Sequence, residues 1–401
     1  MAMICSSLLS CGVPKEEIYT LGKYEIREDH YNYLCSLYKR RIGESEGLLN
    51  VDWNETKTSS GSTIADTFDS RYTTEINNEF IDLIYSQLLF DINGLELTEE
   101  MYNNIESSVQ VLINLYGRGS EQVFDNALKE KNYGFNTQTI REMYIMETKQ
   151  GVLKNFLFGE DGSKIEKETL DKIYKENYIC FNTIVINNKY RILEDGTIEA
   201  LPDDLVKERN DIIEDMRNLF IEKDDNYEYK VIDSTLTYEQ LYQKYSDDVA
   251  YPNGCYSPMP SVSQMAQSIG SAITAASLIN IGDIAIIDAK RYVKSGTTIQ
   301  MGTKTETIKP GDYFTYGSVF VKRLPLEEEA YKKEEFATFF TTFMQANIEY
   351  LFKEYITDYA TNKSPYKLIT GDRLGEIKVS DAAFNYVDYE YVYNTDSNSE
   401  E

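Results

Sequence analysis

The sequence predicts an α+β protein in which a helical domain built from both chain ends carries an inserted α/β unit. Three observations predict it. Apolar residues recur at three- and four-residue steps through most of the first 176 residues. β-Branched runs separated by Gly and Pro turns take over from Tyr178, and an aromatic stripe at helical spacing returns between Phe336 and Leu351. At 401 residues the chain is long enough for two domains.

Residues 18–26 read as a short strand or hairpin, followed by a polar, aromatic helix from Arg27 to Ile42. Residues 43–73 are rich in Gly, Ser, Thr and Asp and predict a loop. Four helical patterns follow: Ile76, Phe80, Leu83, Ile84 and Leu88; a helix opened by Thr98 with Glu99 and Glu100 in its first turn; a short helix over Ser120–Lys131; and one over 137–158. ICFNTIVI (179–186) has strand composition, and a charged helix spans Pro202–Glu222. Thr237 caps a short helix over 237–245, a turn-rich loop follows, and small residues form a helix over 264–279. A strand over 284–293, a hairpin over 295–312 and a strand over 317–324 close this part. A last helix from Glu327 to Thr361 carries Phe336, Phe339, Phe340, Phe343, Tyr350 and Leu351, a stripe expected to pack on the front half. The expected domains are 13–176 and 327–395 for the helical body and 177–326 for the insertion, between a 1–12 signal remnant and an acidic tail at 396–401.

Charge and counting exclude several functions. Forty Lys+Arg against 67 Asp+Glu leave a net charge of −27, which repels phosphate backbones and rules out a broad basic face for nucleic acid. His30 is the single histidine, so no histidine pair, His/His metal site or Ser-His-Asp triad elsewhere is available. Cys5, Cys11, Cys35, Cys180 and Cys255 have no zinc-like spacing and make no disulfide framework. Acidic runs such as Asp224-Asp225 lack the spacing of a calcium loop, and there is no glycine-rich phosphate loop. No metal or cofactor is called for. No segment is apolar for long enough to span a membrane. Leu8-Leu9-Ser10-Cys11 resembles a bacterial lipobox, with Cys11 as the lipidation site, against the plainer alternative of an untethered apolar N-terminus. One lipid anchor holds a chain to a membrane only weakly.

Three stretches together resemble extracytoplasmic foldases of the PrsA and SurA type. TLGKYEIREDHYNYLCSLY (20–38) is similar to the family's opening strand and helix, and DKIYKENYICFNTIVI (171–186) to the entry into a parvulin domain. LTYEQLYQKYSDD (236–248), YPNGCY (251–256), ASLINIGD (276–283) and YGSVFVKRLPL (316–326) follow that domain's order. The resemblance implies a SurA-N-like helical chaperone domain with an inserted parvulin-like domain, that is, a prolyl isomerase fold. It implies a site at Asp248 and Thr183, with Tyr256, Met259, Met265 and Tyr316 on the substrate side. Parvulins usually carry two histidines; here Thr183 and Val319 stand at those positions.

Prolyl isomerisation must overcome a barrier of about 18–20 kcal/mol from lost amide resonance. A catalyst needs an apolar slot for the proline ring and polar groups that favour the twisted amide. Thr183 offers a hydroxyl, Val319 only bulk, and Asp248 lacks imidazole partners. Asp248 equally suits a turn cap and Thr183 a plain strand residue, while Cys255 has no histidine nearby to activate it. The leading expectation is a lipid-anchored folding helper that binds unfolded or partly folded secreted polypeptides with weak or lost isomerase activity. Its aromatic residues, among them Tyr31, Tyr33, Tyr38 and the Phe336–Phe343 set, are client-binding candidates, although such stripes are more often core. An active parvulin-type isomerase and a non-catalytic scaffold lipoprotein are the alternatives. Oligomeric state is left open.

Overall fold

The computed structural model describes residues 16–46, 52–57, 61–192, 198–222, 226–261, 264–265, 270–292, 297–301, 304–309 and 313–375. Cys11 and the acidic tail lie outside them. The chain divides into two compact units: residues 1–164 with 345–401, and residues 165–344.

The first unit opens on a hairpin, β1 (Glu17–Leu21) and β2 (Tyr24–Arg27), turned at Gly22. Helices α1 (Glu28–Glu46), α2 (Ile64–Ile92), α3 (Glu99–Gly117), α4 (Glu121–Glu130) and α5 (Thr137–Phe158) follow. Thr98, which the sequence marks as a helix start, accepts a backbone N–H from the first turn, and Ser120 and Asn136 do the same for the next two helices. The loop expected over 43–73 is corrected in its second half. α2 begins at Ile64, where the Thr63 hydroxyl accepts the Asp66 N–H, and Trp53 packs on Phe68. Its mixed polar surface hides a periodicity that burial of Ile64, Ala65 and Phe68 makes visible.

The second unit begins with α6 (Lys167–Asn177) and runs into the long strand β3 (Tyr178–Asn187). After β4 (Tyr190–Ile192) and β5 (Ile198–Ala200) come α7 (Asp203–Arg217), α8 (Tyr238–Tyr245), β6 (Cys255–Pro258) and α9 (Ala272–Leu278). β7 (Ile284–Tyr292), the hairpin β8 (Thr297–Met301) and β9 (Lys304–Ile308), and β10 (Tyr313–Leu324) complete its strands. One antiparallel sheet has the order β6-β3-β10-β7; a second has the order β4-β5-β8-β9. Ile184, Ile186 and Phe320 bury one face of the first sheet against α7 and α8. Phe181, Val319 and Val321 bury the other against Ala272, Ala275 and Ala276 of α9. The fold is α+β. Of the small-residue helix expected over 264–279, residues 264–265 are helical, 266–269 lie outside the described residues, and Ser271 caps a helix that starts afresh at Ala272.

The last helix needs the largest correction. α10 spans Phe343–Asn362, not Glu327–Thr361. Glu329 sits at a left-handed φ of 49°, and the chain from Ala330 to Phe339 folds as 3-10 turns. Phe336, Phe340 and Phe343 therefore pack on Tyr174, Tyr178 and Tyr256 within the second unit, not on the front half. The later residues Phe352 and Ile356 join the core of the first unit, with Tyr355, Tyr359 and Ala360 packed against it. The spacing of the phenylalanines suits a helix, but rings that meet Tyr174 and Tyr178 edge to face and Tyr256 at a tilt favour a tighter, irregular backbone. β11 (Ile369–Thr370), which the sequence reading lacks, pairs with β1 and completes a three-stranded sheet.

Asp215 is a fully buried carboxylate in α7. It accepts the backbone N–H groups of Lys230, Val231 and Ile232 at 3.0, 2.9 and 3.2 Å and the Tyr227 hydroxyl at 2.8 Å. A single side chain thus ties down the segment that leads into α8.

At Gly317 the sheet tolerates no side chain, because a Cβ there runs into the Ile186 carbonyl oxygen across the β3–β10 pair. Gly317→Ala is expected to destabilise the second unit by about 2–3 kcal/mol, an overpacking cost. Urea unfolding followed by labelling of the buried Cys180 thiol checks this; an unchanged midpoint refutes it.

Candidate functional site

β3 positions Thr183. Its register with β10 sets Thr183 opposite Val321, and Val185 opposite Val319. Facing residues of an antiparallel pair share a face, so Thr183 and Val319 lie on the same side of the sheet, one pair apart. Val319 is buried in the core beneath α9 and is not among the residues that line the cavity described below.

The far edge of β3 is covered in two pieces. β6 pairs with Tyr178–Phe181. Beyond the end of α8, the Ser246-Asp247 pair covers Val185–Asn187: the Ser246 hydroxyl accepts the Val185 N–H at 3.1 Å, the Asp247 N–H reaches the Val185 carbonyl at 2.7 Å, and Asn187 donates its N–H to the Asp247 carboxylate at 2.7 Å. Between these pieces the edge at Asn182-Thr183 is open. Asn182 closes it locally, accepting the Thr183 N–H at 2.6 Å and donating to the Pro252 carbonyl at 3.1 Å.

A small cavity occupies this gap. Phe181, Asn182, Thr183, Tyr242, Asp248, Tyr251 and Cys255 line it. The structure thus brings Thr183 and Asp248 to one place from stretches 65 positions apart in sequence number, 248 less 183. The cavity has a volume of about 20 Å³. That is room for about one water and far too little for a pyrrolidine ring. Asp248 is exposed and accepts the Ala250 N–H at 3.1 Å, which makes it a turn cap as well. Burial pushes the Cys255 thiol up, so it is protonated at neutral pH and no nucleophile.

The other expected substrate residues do not converge here. Tyr256 is buried among Phe336, Phe339 and Phe340, with ring centroids 4.7, 6.0 and 5.4 Å away. Tyr316 is half-buried beside Phe314. Met259 is exposed and Met265 half-buried, and neither lines the cavity. Asn182, Tyr242 and Tyr251 are the lining residues that sequence reasoning passed over. The KYSDD-to-YPNGCY order put Tyr242 and Tyr251 near Asp248, but nothing local marks Asn182, whose role comes from the open sheet edge.

In the first unit, Asp29, His30 and Glu142 gather potential metal-ligand atoms within 4.8 Å of one another. The Arg27 guanidinium already occupies this cluster. It donates to Asp29 at 3.1 and 3.0 Å and also to Glu142. The Arg27 backbone N–H donates to His30 Nδ1, which leaves Nε2 to donate to Glu142 at 3.0 Å. The Thr139 hydroxyl donates to the buried Asp29 at 2.8 Å. The cluster therefore locks the hairpin and α1 to α5; a metal ion would have to displace the arginine. Burial alone would raise the Glu142 carboxyl, but hydrogen bonds from His30, Arg27 and Gln138 outweigh it and hold the group down at about 2.

The chain matches no protein-family model and no curated protein sequence. Among solved structures it aligns with foldase protein PrsA from Lactococcus lactis over 90% of this chain and 98% of that one, at 12% identity and a TM-score of 0.22. Peptidylprolyl isomerase PrsA from Bacillus cereus aligns over 80% and 95%, at 12% identity and 0.25. PrsA from Bacillus subtilis aligns over 76% and 92%, at 13% and 0.20. These are the foldases named in the sequence resemblance. Likeness at this level transfers no residue role, and the roles given above rest on this chain's own contacts.

Because the folded-state carboxyl of Glu142 is depressed below its ordinary value of 4.5, its stabilising contribution is present above about pH 4.5 and lost as pH falls toward about 2. Glu142→Gln is expected to lower the thermal midpoint of the first unit at pH 7 and to flatten its dependence over that acid window. Fluorescence of Trp53, the single tryptophan, reads this unit. Parallel curves for the two proteins down to about pH 2 contradict the assignment.

Proposed function

We propose that this protein is an extracytoplasmic folding helper that holds unfolded secreted polypeptides, and that its 165–344 unit binds them without isomerising their prolyl bonds. The sequence resemblance supplies the setting, including an anchor at Cys11. The observation that carries the binding-only reading is the cavity at Thr183 and Asp248, which takes about one water where a catalyst needs a slot for the proline ring. No imidazole belongs to this unit, and Val319 fills its position with packed hydrocarbon. Around the cavity, Val249 and Tyr251 are 55% and 51% exposed. Apolar side chains on a strand edge and its covering loop suit transient contact with an extended chain.

No described helix is long and apolar enough to cross a membrane. The −27 charge keeps a holder of sticky chains soluble and favours clients that are not strongly acidic.

Two measurements test this reading. Cis/trans conversion of an Ala-Pro test peptide is expected to stay at its uncatalysed time of about tens to hundreds of seconds, and Asp248→Ala to change nothing. Aggregation of a chemically unfolded client is expected to be suppressed by the intact chain and less so by Val249→Asp/Tyr251→Ser. A strong rate gain that Asp248→Ala abolishes establishes an isomerase instead. Unhindered aggregation with no isomerase activity favours the scaffold alternative.

A further inference from the structure

A second and larger concavity lies in the helical unit, between α3 and α5. Its volume is about 280 Å³, within reach of ordinary ligand pockets. Met101, Ile105 and Tyr144 supply hydrocarbon and ring surface, Asn104 and Ser108 supply polar atoms, and Glu147 is the one charged lining residue.

Glu147 pairs with no cation among the described residues. Its neighbours along α5 have spent theirs: Arg141 is bound to Glu121 and Glu106, Lys149 lies 4.0 Å from Asp91 and over the Phe90 ring, and Lys154 holds Glu349 at 2.7 Å. Among the described residues none pairs with Glu147. Among the described residues, the charge that acts on it is a second carboxylate, Glu79 of α2, which the Tyr38 hydroxyl of α1 holds at 2.8 Å. No charged residue of α3 lines the groove. A groove lined partly by hydrocarbon and partly by polar groups, with one uncompensated carboxylate in its wall, is complementary to a long hydrocarbon stem with a positive head. Anions are repelled, and a second copy of this −27 chain is a poor occupant.

We propose that this groove takes a lysine or arginine side chain of an extended client polypeptide, its stem along Met101, Ile105 and Tyr144 and its charge at Glu147. This rests on the folding-helper reading and gives it a sequence preference: basic residues within apolar stretches. Although Glu147 stays exposed to solvent at the groove, surrounding protein and the Glu79 carboxylate push its carboxyl up, to about 7. Below that value the group is neutral and the pairing weakens, so capture is strongest on the alkaline side.

The test uses the full chain and two fluorescent peptides of Gly, Ser, Ala and Leu, one with a single central lysine and the other with norleucine in its place. Anisotropy titration is expected to show tighter binding of the lysine peptide. Glu147→Gln should weaken that peptide about three- to tenfold and leave the norleucine peptide unchanged. The lysine preference should shrink as pH falls from about 8 to about 6. Ser108→Trp, at an exposed helix position, fills the groove and should abolish both. Equal affinity for the two peptides, or an unaltered preference in Glu147→Gln, overturns the proposal. Loss of peptide binding in Ser108→Trp with client protection intact supports a groove that is one contact among several. Client protection by a chain that binds neither peptide overturns the groove proposal while leaving the folding-helper reading standing; failure of both removes the two together.

Discussion

The pairing of β3 with β10 is the contact on which the second unit depends. It joins segments more than a hundred residues apart in register from Cys180–Leu324 to Asn187–Gly317. Both layers of hydrophobic core hang from it, because alternate residues of these two strands face α7 and α8 on one side and α9 on the other. A slip of one residue would exchange Ile184, Ile186 and Phe320 with Thr183, Val185 and Val319 and put a hydroxyl in the core. Gly317 belongs to the same constraint, since the two backbones meet there too closely for a Cβ.

The candidate site is a by-product of how that pair is covered at its edge. A strand edge with unpaired N–H and C=O groups is a liability. β6 blunts one half of it and the Ser246-Asp247 turn the other, and Asn182 folds its own amide over the space between. What is left is a water-sized recess with a hydroxyl, a carboxylate and a thiol on its walls. Chemistry on a prolyl bond asks for more room and for groups aimed at the amide. Holding a chain asks only for exposed apolar surface close to a partly open edge.

In the helical unit, electrostatics replaces sheet register as the organising device. Arg27 and the carboxylates of Asp29, which is buried, and Glu142, which is partly exposed, form a triad that the single histidine completes from the side. Such a cluster contributes specificity of arrangement more than raw stability, because removing one member leaves the others desolvated and unpaired. Glu147, five positions along α5 from Glu142, is its opposite: a carboxylate without a cation, facing an open groove.

The sequence by itself determined the element inventory that local chemistry controls. Thr98, Ser120, Asn136 and Thr237 cap helices where a side-chain oxygen must meet a free N–H, and the β-branched run at 179–186 makes a strand because those side chains suit a pleated surface. That Thr183 and Asp248 share a site was implied only by the family resemblance of the surrounding stretches. Tertiary structure alone decided the rest. Phe336 and Phe340 left helical geometry because three tyrosines from elsewhere in the chain offered interlocking rings, and Ile369–Thr370 became a strand because β1 had an edge to fill. Tyr256, expected at a substrate surface, went inward for the same reason. Local propensity differs between such alternatives by less than about 1 kcal/mol per residue, and burial of one aromatic ring outweighs it.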